Sequence, residues 1–400
     1  MVALSLKTVA DIVVGILPFL SVYVLWLAYF RGVEDTICAP SHTTVVNNAT
    51  GHEVHFHAGL GNVSLFNVHT FPAIAAATAA QILNKTLAYV AAQESGGKPG
   101  WNLKGHHAYY PTTDVSVADV PELEDMVVDL LEKTVIPKLR DSFGRWLKDD
   151  DIFLVDAFVV KYETPSSSNN FTTQYFLPLH RDGGMFSSNI ALNAGSAYEG
   201  GGTVFPHLGC ESDHSGSVGS VSHCPPTVVK LDRPGTAALH CGKLLHGGYE
   251  VVAGTRYILA LFLGLRDSDN EGVAAGIVPR GISSVEERLW REAVEQFSPV
   301  SSTDAFTYGD AAAMDSVRAN ALAQFSQLYL RRRTSEDDNA ALDVVRRGME
   351  SFPDDDALLS VHAKVLARVG APTEARRAFH IAIARNPQNA ALHAGSDLAP

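Results

Sequence analysis

Cysteine is scarce, with four in 400 residues. That excludes a disulfide-dense scaffold. Positive charge is also in short supply. There are 31 Lys and Arg against 44 Asp and Glu, a net charge of −13. A nucleic-acid binder normally carries the opposite sign, so no nucleic-acid partner is expected. Charged residues reach only 19% while hydrophobic residues reach 46%, which excludes a mainly disordered chain. What is present is material for a large core, and the length suggests two or three domains at about 150 residues each. Mean hydropathy is +0.04, high for a chain with this many acids. Either the core is large or part of the chain sits in lipid.

One long apolar run exists. Residues 12–30 (IVVGILPFLSVYVLWLAYF) are 19 uncharged residues. At 1.5 Å per residue they nearly span a hydrocarbon layer of about 30 Å. Tyr23, Trp26 and Tyr29 gather toward the end of the run, where amphipathic rings favour the interface. A cleaved signal peptide has a shorter apolar region ending in small residues, so an uncleaved anchor is expected. Lys7 and Arg31 flank the run and barely bias its orientation. Four sequons do: those beginning at Asn48, Asn62, Asn84 and Asn170 all follow the run. They place residues 31–400 in the lumen of the endoplasmic reticulum or Golgi, as a single-pass type II membrane protein.

Along the chain, residues 33–70 read as a stalk. Its His52, His55 and His57 lack metal-ligand spacing and read as a short strand or polar loop. Residues 72–93 and 121–147 carry helical patterns, with Pro137 expected to bend or split the second. Between 152 and 264, short β-branched and aromatic runs alternate with Gly- and Ser-rich turns, the signature of a sandwich, barrel or jelly roll. Helical texture returns at 284–297 and 311–330. Ala341, Val345, Gly348 and Pro353 recur 34 residues later as Ala375, Phe379, Ala382 and Pro387, a period that resembles a tetratricopeptide (TPR) repeat. Two copies cannot bury a solenoid core, so this reads as a helical appendage that offers a homodimer or partner surface.

The chemistry centres on FLPLHRDGG. His180 and Asp182 are two apart, so in an extended strand both project to one side and can bind one metal. Downstream, LHCGKLLHGGYEVVAGTRYILALFL offers His246 and, ten residues later, Arg256 at the start of an apolar strand. Two histidines and a carboxylate form the facial triad of non-haem Fe(II) oxygenases. An arginine inside such an apolar strand asks for an anionic partner, because an unpaired buried charge is very costly.

Taken in order, FVVKY (158–162), His180-Arg-Asp182, SSNIALN, YEGGGTVF, HCGKLLH and GTRYI resemble the catalytic domain of procollagen lysyl hydroxylases. More broadly they are similar to the prolyl 4-hydroxylase branch of 2-oxoglutarate- and Fe(II)-dependent dioxygenases. The resemblance covers roughly residues 108–265. It implies a double-stranded β-helix (jelly roll) with supporting helices, an α+β fold. It implies His180, Asp182 and His246 as Fe(II) ligands and Arg256 as the partner of the distal carboxylate of 2-oxoglutarate. Tyr162 matches a 2-oxoglutarate contact, and Asn189 is a candidate for the same pocket. His240 is given a structural role. The implied reaction hydroxylates peptidyl lysine or proline in a peptide or protein substrate, releasing succinate and CO2, with ascorbate restoring oxidised iron.

The expected organisation is a cytosolic tail and anchor (1–32), the stalk (33–70), the dioxygenase domain (71–266), a helical linker (267–320) and TPR-like repeats (321–400). An insertion at 208–226 carries Cys210 and Cys224, which can close a loop of 15 residues. A lumenal disulfide there would contribute about 3 kcal/mol. Cys38 and Cys241 have no obvious partner. Two other readings compete: a lumenal glycosyltransferase using Asp149, Asp150 and Asp151 as an acidic metal site, and a non-catalytic jelly-roll/TPR scaffold.

Overall fold

A computed structural model describes residues 42–57, 64–102, 112–164, 174–208, 227–266, 284–295, 308–332 and 335–385. The strands are β1 (His42–Asn47), β2 (His52–His57), β3 (Val68–Pro72), β4 (Asp114–Ser116), β5 (Ile152–Glu163), β6 (Leu177–His180), β7 (Phe186–Ala191), β8 (Tyr198–Gly200), β9 (Thr203–Val204), β10 (Val228–Val229), β11 (Thr236–Cys241), β12 (His246–Gly248) and β13 (Val251–Leu265). The helices are α1 (Ala76–Ser95), α2 (Pro121–Leu130), α3 (Ile136–Phe143), α4 (Ser284–Glu295), α5 (Tyr308–Arg332), α6 (Ser335–Ser351), α7 (Asp356–Arg368) and α8 (Pro372–Arg385).

The larger sheet runs β1-β2-β3-β11-β7-β13-β5-β4, with β8 also on β13, and the smaller runs β10-β9-β12-β6. From β5 to β13 the chain passes back and forth between them, giving β5-β13-β7-β11 in one sheet and β6-β12-β9-β10 in the other. That strand order is the double-stranded β-helix expected from the sequence.

The register assigns each side chain a face. In the larger sheet Leu259 lies opposite Val159 and Ile190, while the next residue, Ala260, lies opposite Phe158 and Asn189. The first set joins Ile82 of α1, Leu123 and Val127 of α2 and Leu139 of α3 in the main core. The second set faces the smaller sheet. Both faces are therefore covered along Arg256–Gly264 of β13 and Ala157–Tyr162 of β5, so RYILALFLG is apolar without alternation.

Pro137 splits the predicted 121–147 helix as anticipated. A π-helical turn, Leu131–Val135, separates α2 from α3 just before it. Proline at 137 withholds an N–H from that ladder, and the widened turn absorbs the loss.

Two boundaries differ from the sequence reading. The expected stalk contains β1 and β2, a hairpin continuing through β3 into the larger sheet. On β2 His55 is buried, and on β3 His69 and Thr70 are buried beside Val68 and Phe71, so hydropathy concealed the hairpin. The expected boundary at 320/321 falls inside α5. Ala321, Phe325 and Leu328 of that helix join Leu289 and Trp290 of α4 in the main core, so the helical tail starts within the unit that carries the sheets. The recurring small positions Ala341, Gly348, Ala375 and Ala382 are buried on α6 and α8.

Among the described residues no helix is long and apolar enough to cross a membrane. The expected span at 12–30, Cys38, the sequons at Asn62 and Asn170, and the Cys210–Cys224 loop lie outside the described residues.

Candidate active site

His180 ends β6 and His246 begins β12, and the two face each other across one strand pairing. Asp182 follows two residues after His180, in the turn leading to β7. All three are buried, and one ligand atom from each lies within 4.8 Å of the others. Both imidazoles are oriented by the backbone. Nδ1 of His180 lies 2.8 Å from the Pro178 carbonyl, and Nδ1 of His246 lies 2.8 Å from the Leu244 carbonyl. A carbonyl only accepts, so each Nδ1 donates to it and each Nε2 is the ring nitrogen turned toward the carboxylate. The two Nε2 atoms sit 3.3 Å from the two carboxylate oxygens of Asp182. Ser187 donates to Asp182 Oδ2 from the start of β7.

Burial alone would raise the Asp182 carboxyl. The charge of His246 and the hydrogen bonds of His180 and His246 outweigh it and hold Asp182 well below the usual carboxylate range. Burial lowers His246, but the Asp182 charge and hydrogen bond raise it further, for a net upward shift. Two oriented imidazole Nε2 atoms, which would bind a metal through their lone pairs once their protons leave, and one ionised carboxylate make an N2O donor set on one side of a cavity. This set fits a divalent transition metal that keeps open positions, with Fe(II) the case where two His and one carboxylate serve oxygen chemistry.

Arg256 lies on the opposite wall. It is 2% exposed and pairs in register with Tyr162, and its guanidinium sits 5.3 Å from the Tyr162 ring centre. Its Nη2 has no hydrogen-bond partner. A buried arginine with an unused N–H is costly and is suited to an anion. The chain passes close over it. Gly200, Gly201 and Gly202 all have positive φ, and a Cβ on Gly201 would come within 3.0 Å of Arg256 Cδ. The glycine run of YEGGGTVF is thus a requirement of this crossing.

The triad, Arg256, Tyr162 and Asn189 line one pocket enclosing about 700 Å³ including its open mouth. All six predicted site residues therefore come together. Asn189 reaches it from β7, where it pairs with Ala238 and Ala260 on the face toward the smaller sheet. Burial raises the Tyr162 hydroxyl, partly offset by Arg256, so it stays protonated. His240 lies beside the site, buried, with its ring 4.5 Å from that of His246. Burial, reinforced by His246, pushes it down to about 3, so it is a neutral packing partner.

Sequence reasoning missed Thr112 and Thr203, which also line the pocket, and Lys243, which braces it. Thr112 reaches the site from the segment before β4, far from any motif. Lys243 had a signal: it is the one charged residue within HCGKLLH.

The acidic run proposed for a glycosyltransferase is occupied structurally. Asp149 pairs with Arg140 at 2.6 Å. Buried Asp151 accepts from the Lys148 N–H at 3.0 Å. The Asp150 carbonyl accepts from Arg266. Asp151 is thus a turn-capping residue.

No family model matches the chain, and no curated protein matches it. Solved structures similar to it include a 2OG-Fe(II) oxygenase-family oxidoreductase from Burkholderia pseudomallei, at 20% identity, 35% of this chain, 57% of that one and a TM-score of 0.25. The chain thus spans little more than half the length of that relative. A prolyl-4-hydroxylase from Pseudomonas putida is similar at 11% identity, covering 52% of this chain and 98% of that one, with a TM-score of 0.33. A viral collagen prolyl hydroxylase from Paramecium Bursaria Chlorella virus-1, in complex with 2OG, gives 14% identity, 49% and 94% coverage, and a TM-score of 0.28.

Proposed function

We propose that the chain is an Fe(II)- and 2-oxoglutarate-dependent dioxygenase that hydroxylates peptidyl lysine or proline. The observation that carries this reading is the pairing of an oriented His-Asp-His set with a buried arginine whose N–H is unused, across one pocket. His180, Asp182 and His246 would hold the iron, and Arg256 the distal carboxylate of 2-oxoglutarate. With iron and 2-oxoglutarate bound, the site supplies oxidative decarboxylation: O2 is consumed, succinate and CO2 leave, and a substrate C–H becomes C–OH.

The protein's own part is orientation. The Pro178 and Leu244 carbonyls fix both imidazoles before any metal arrives. Tyr162 forms the wall against the guanidinium. Phe158, Ile258 and Phe262 line the pocket with apolar surface, which limits water around the co-substrate. The test is succinate release from 2-oxoglutarate with a library of lysyl and prolyl peptides, read with mass spectrometry of the peptides. Wild-type turnover with hydroxylated peptide is expected, along with complete loss in His180→Ala. Turnover retained in that variant would overturn the assignment. Ascorbate should prolong turnover by re-reducing iron.

The lumenal location expected from the sequence belongs to the same proposal. Among the described residues it is supported by Asn48, exposed in the turn between β1 and β2. Asn84 is exposed on α1, but its sequon partner Thr86 is buried and donates to the Ile82 carbonyl. Expression in a secretory host should add a glycan that Asn48→Gln removes. An unglycosylated product from that host would count against the lumen.

A further inference from the structure

The turn carrying Asp182 has little structure of its own. β6 ends at His180 and β7 begins at Phe186, and two of the residues between are Gly183 and Gly184. Glycines impose no preferred path, so a ligand beside them needs holding from elsewhere. The turn between β11 and β12 does the holding. The Asp182 N–H donates to the Gly242 carbonyl at 2.8 Å, and the Gly242 N–H donates to the Met185 carbonyl at 2.9 Å. A Cβ on Gly242 would meet the Gly184 oxygen at 2.8 Å, so the two turns are in direct contact.

Lys243 closes this contact. It is 8% exposed, and its Nζ donates to the carbonyls of both Asp182 and Gly183, each at 2.8 Å. Both acceptors are backbone atoms of the ligand turn. Burying a long, charged side chain to reach two carbonyls is costly unless the geometry of those carbonyls matters. The lysine is itself steadied from behind, because Asn320 of α5 donates to its carbonyl at 3.3 Å.

We propose that Lys243 is a positioning residue that keeps the Asp182 carboxylate in its metal-binding place by clamping the turn through the Asp182 and Gly183 carbonyls. The inference rests on the metal-site reading above. It makes α5 part of the site's support, where the sequence suggested a separate linker and appendage.

The test uses the full chain stripped of metal, with Co(II) as a spectroscopic probe and thermal melts recorded alongside. Lys243→Met keeps length and apolar volume but removes the donors. It should weaken Co(II) binding roughly 10–100-fold, as loss of groups behind metal ligands typically does, and change the visible bands. Lys243→Arg keeps donors and charge and should bind within a few-fold of wild type. A folded Lys243→Met protein with the wild-type Co(II) affinity and spectrum would overturn the proposal. So would a Lys243→Arg variant as impaired as Lys243→Met. If Lys243→Met does not fold, Asn320→Ala decides: a several-fold loss of Co(II) affinity is expected, and no loss overturns the proposal. Failure of the wild-type chain to bind Co(II) would instead sink the site reading itself.

Discussion

Two groups of histidines occupy this fold, and they differ in how the chain delivers them. In the pocket, His180 and His246 sit on paired strands with Asp182 between them, and both Nε2 atoms converge on one carboxylate. At the edge of the larger sheet, β2 and β3 carry His52, His55 and His69. The pleat separates these. His69 pairs across from Leu239, on the helix-covered face, and His52 reaches it there with a 3.1 Å nitrogen-to-nitrogen contact. His55 pairs across from Val68 on the other face, where it meets Thr70 at 3.3 Å and Glu53 at 3.5 Å. Residues an odd number apart on a strand point opposite ways, so three nearby histidines never share a centre. Among the described residues the only group of three or more candidate ligands is His180, Asp182 and His246.

Each group also leaves a buried nitrogen without a hydrogen bond, Arg256 Nη2 in one and His69 Nε2 in the other. The first borders the pocket. The second is closed over, with the His69 ring edge-on to Phe143 at 5.2 Å. An orphan facing a cavity points to a ligand, whereas an orphan under a packed ring is a stability cost.

The largest effect that sharpens this contrast is on metal binding. Asp182→Ala should abolish measurable Co(II) binding by the metal-stripped protein, while His52→Ala leaves the affinity unchanged. Equal losses in the two variants would erase the distinction. The next effect concerns the anion. Arg256→Met should weaken 2-oxoglutarate binding roughly 10–100-fold, the equivalent of one charged hydrogen-bonded pair of about 1.5–3 kcal/mol. Calorimetry on the Co(II)-loaded protein reads this directly. Metal affinity should stay within a few-fold of wild type, since Arg256 touches no ligand.

The contrast also explains what was legible beforehand. His180, Asp182, His246 and Arg256 were readable because chemistry constrains their types and a strand's period fixes their spacing. The larger sheet's centre was readable because β5 and β13 are apolar on both faces. The β1–β2 hairpin was not, because its buried residue is His55 and Thr44 to Asn47 of β1 are exposed, which looks like loop composition. Lys243 stood out only as the one charged residue within HCGKLLH; its role did not, because a lysine in a turn normally faces solvent, and only the packing of two turns reveals its acceptors. The boundary inside α5 was hidden for a related reason. A single continuous helix serves the main core through Ala321, Phe325 and Leu328, and the tail through Ala319 and Ala323.

The smallest effect lies in acid stability and belongs to the edge cluster. Burial, with the nearby His52 and Lys138, pushes His69 from an ordinary 6.5 down to about 3. The folded chain therefore keeps His69 neutral while the unfolded chain protonates it below pH 6.5. The sign follows: this group's contribution is fully present above pH 6.5 and is lost as pH falls from there toward 3, at about 1.4 kcal/mol per unit at most. His69→Leu removes the titration, so its urea midpoint should fall less steeply between pH 6.5 and 4 than that of the wild type. At pH 7.5 the same variant should be destabilised, because the contacts to His52 and Phe143 are gone. Buried His240 supplies a similar slope and remains, so the dependence should be reduced without vanishing. An unchanged slope in His69→Leu would mean that residue 69 is not held neutral, and the edge cluster would no longer stand as the closed, ligand-free counterpart of the pocket.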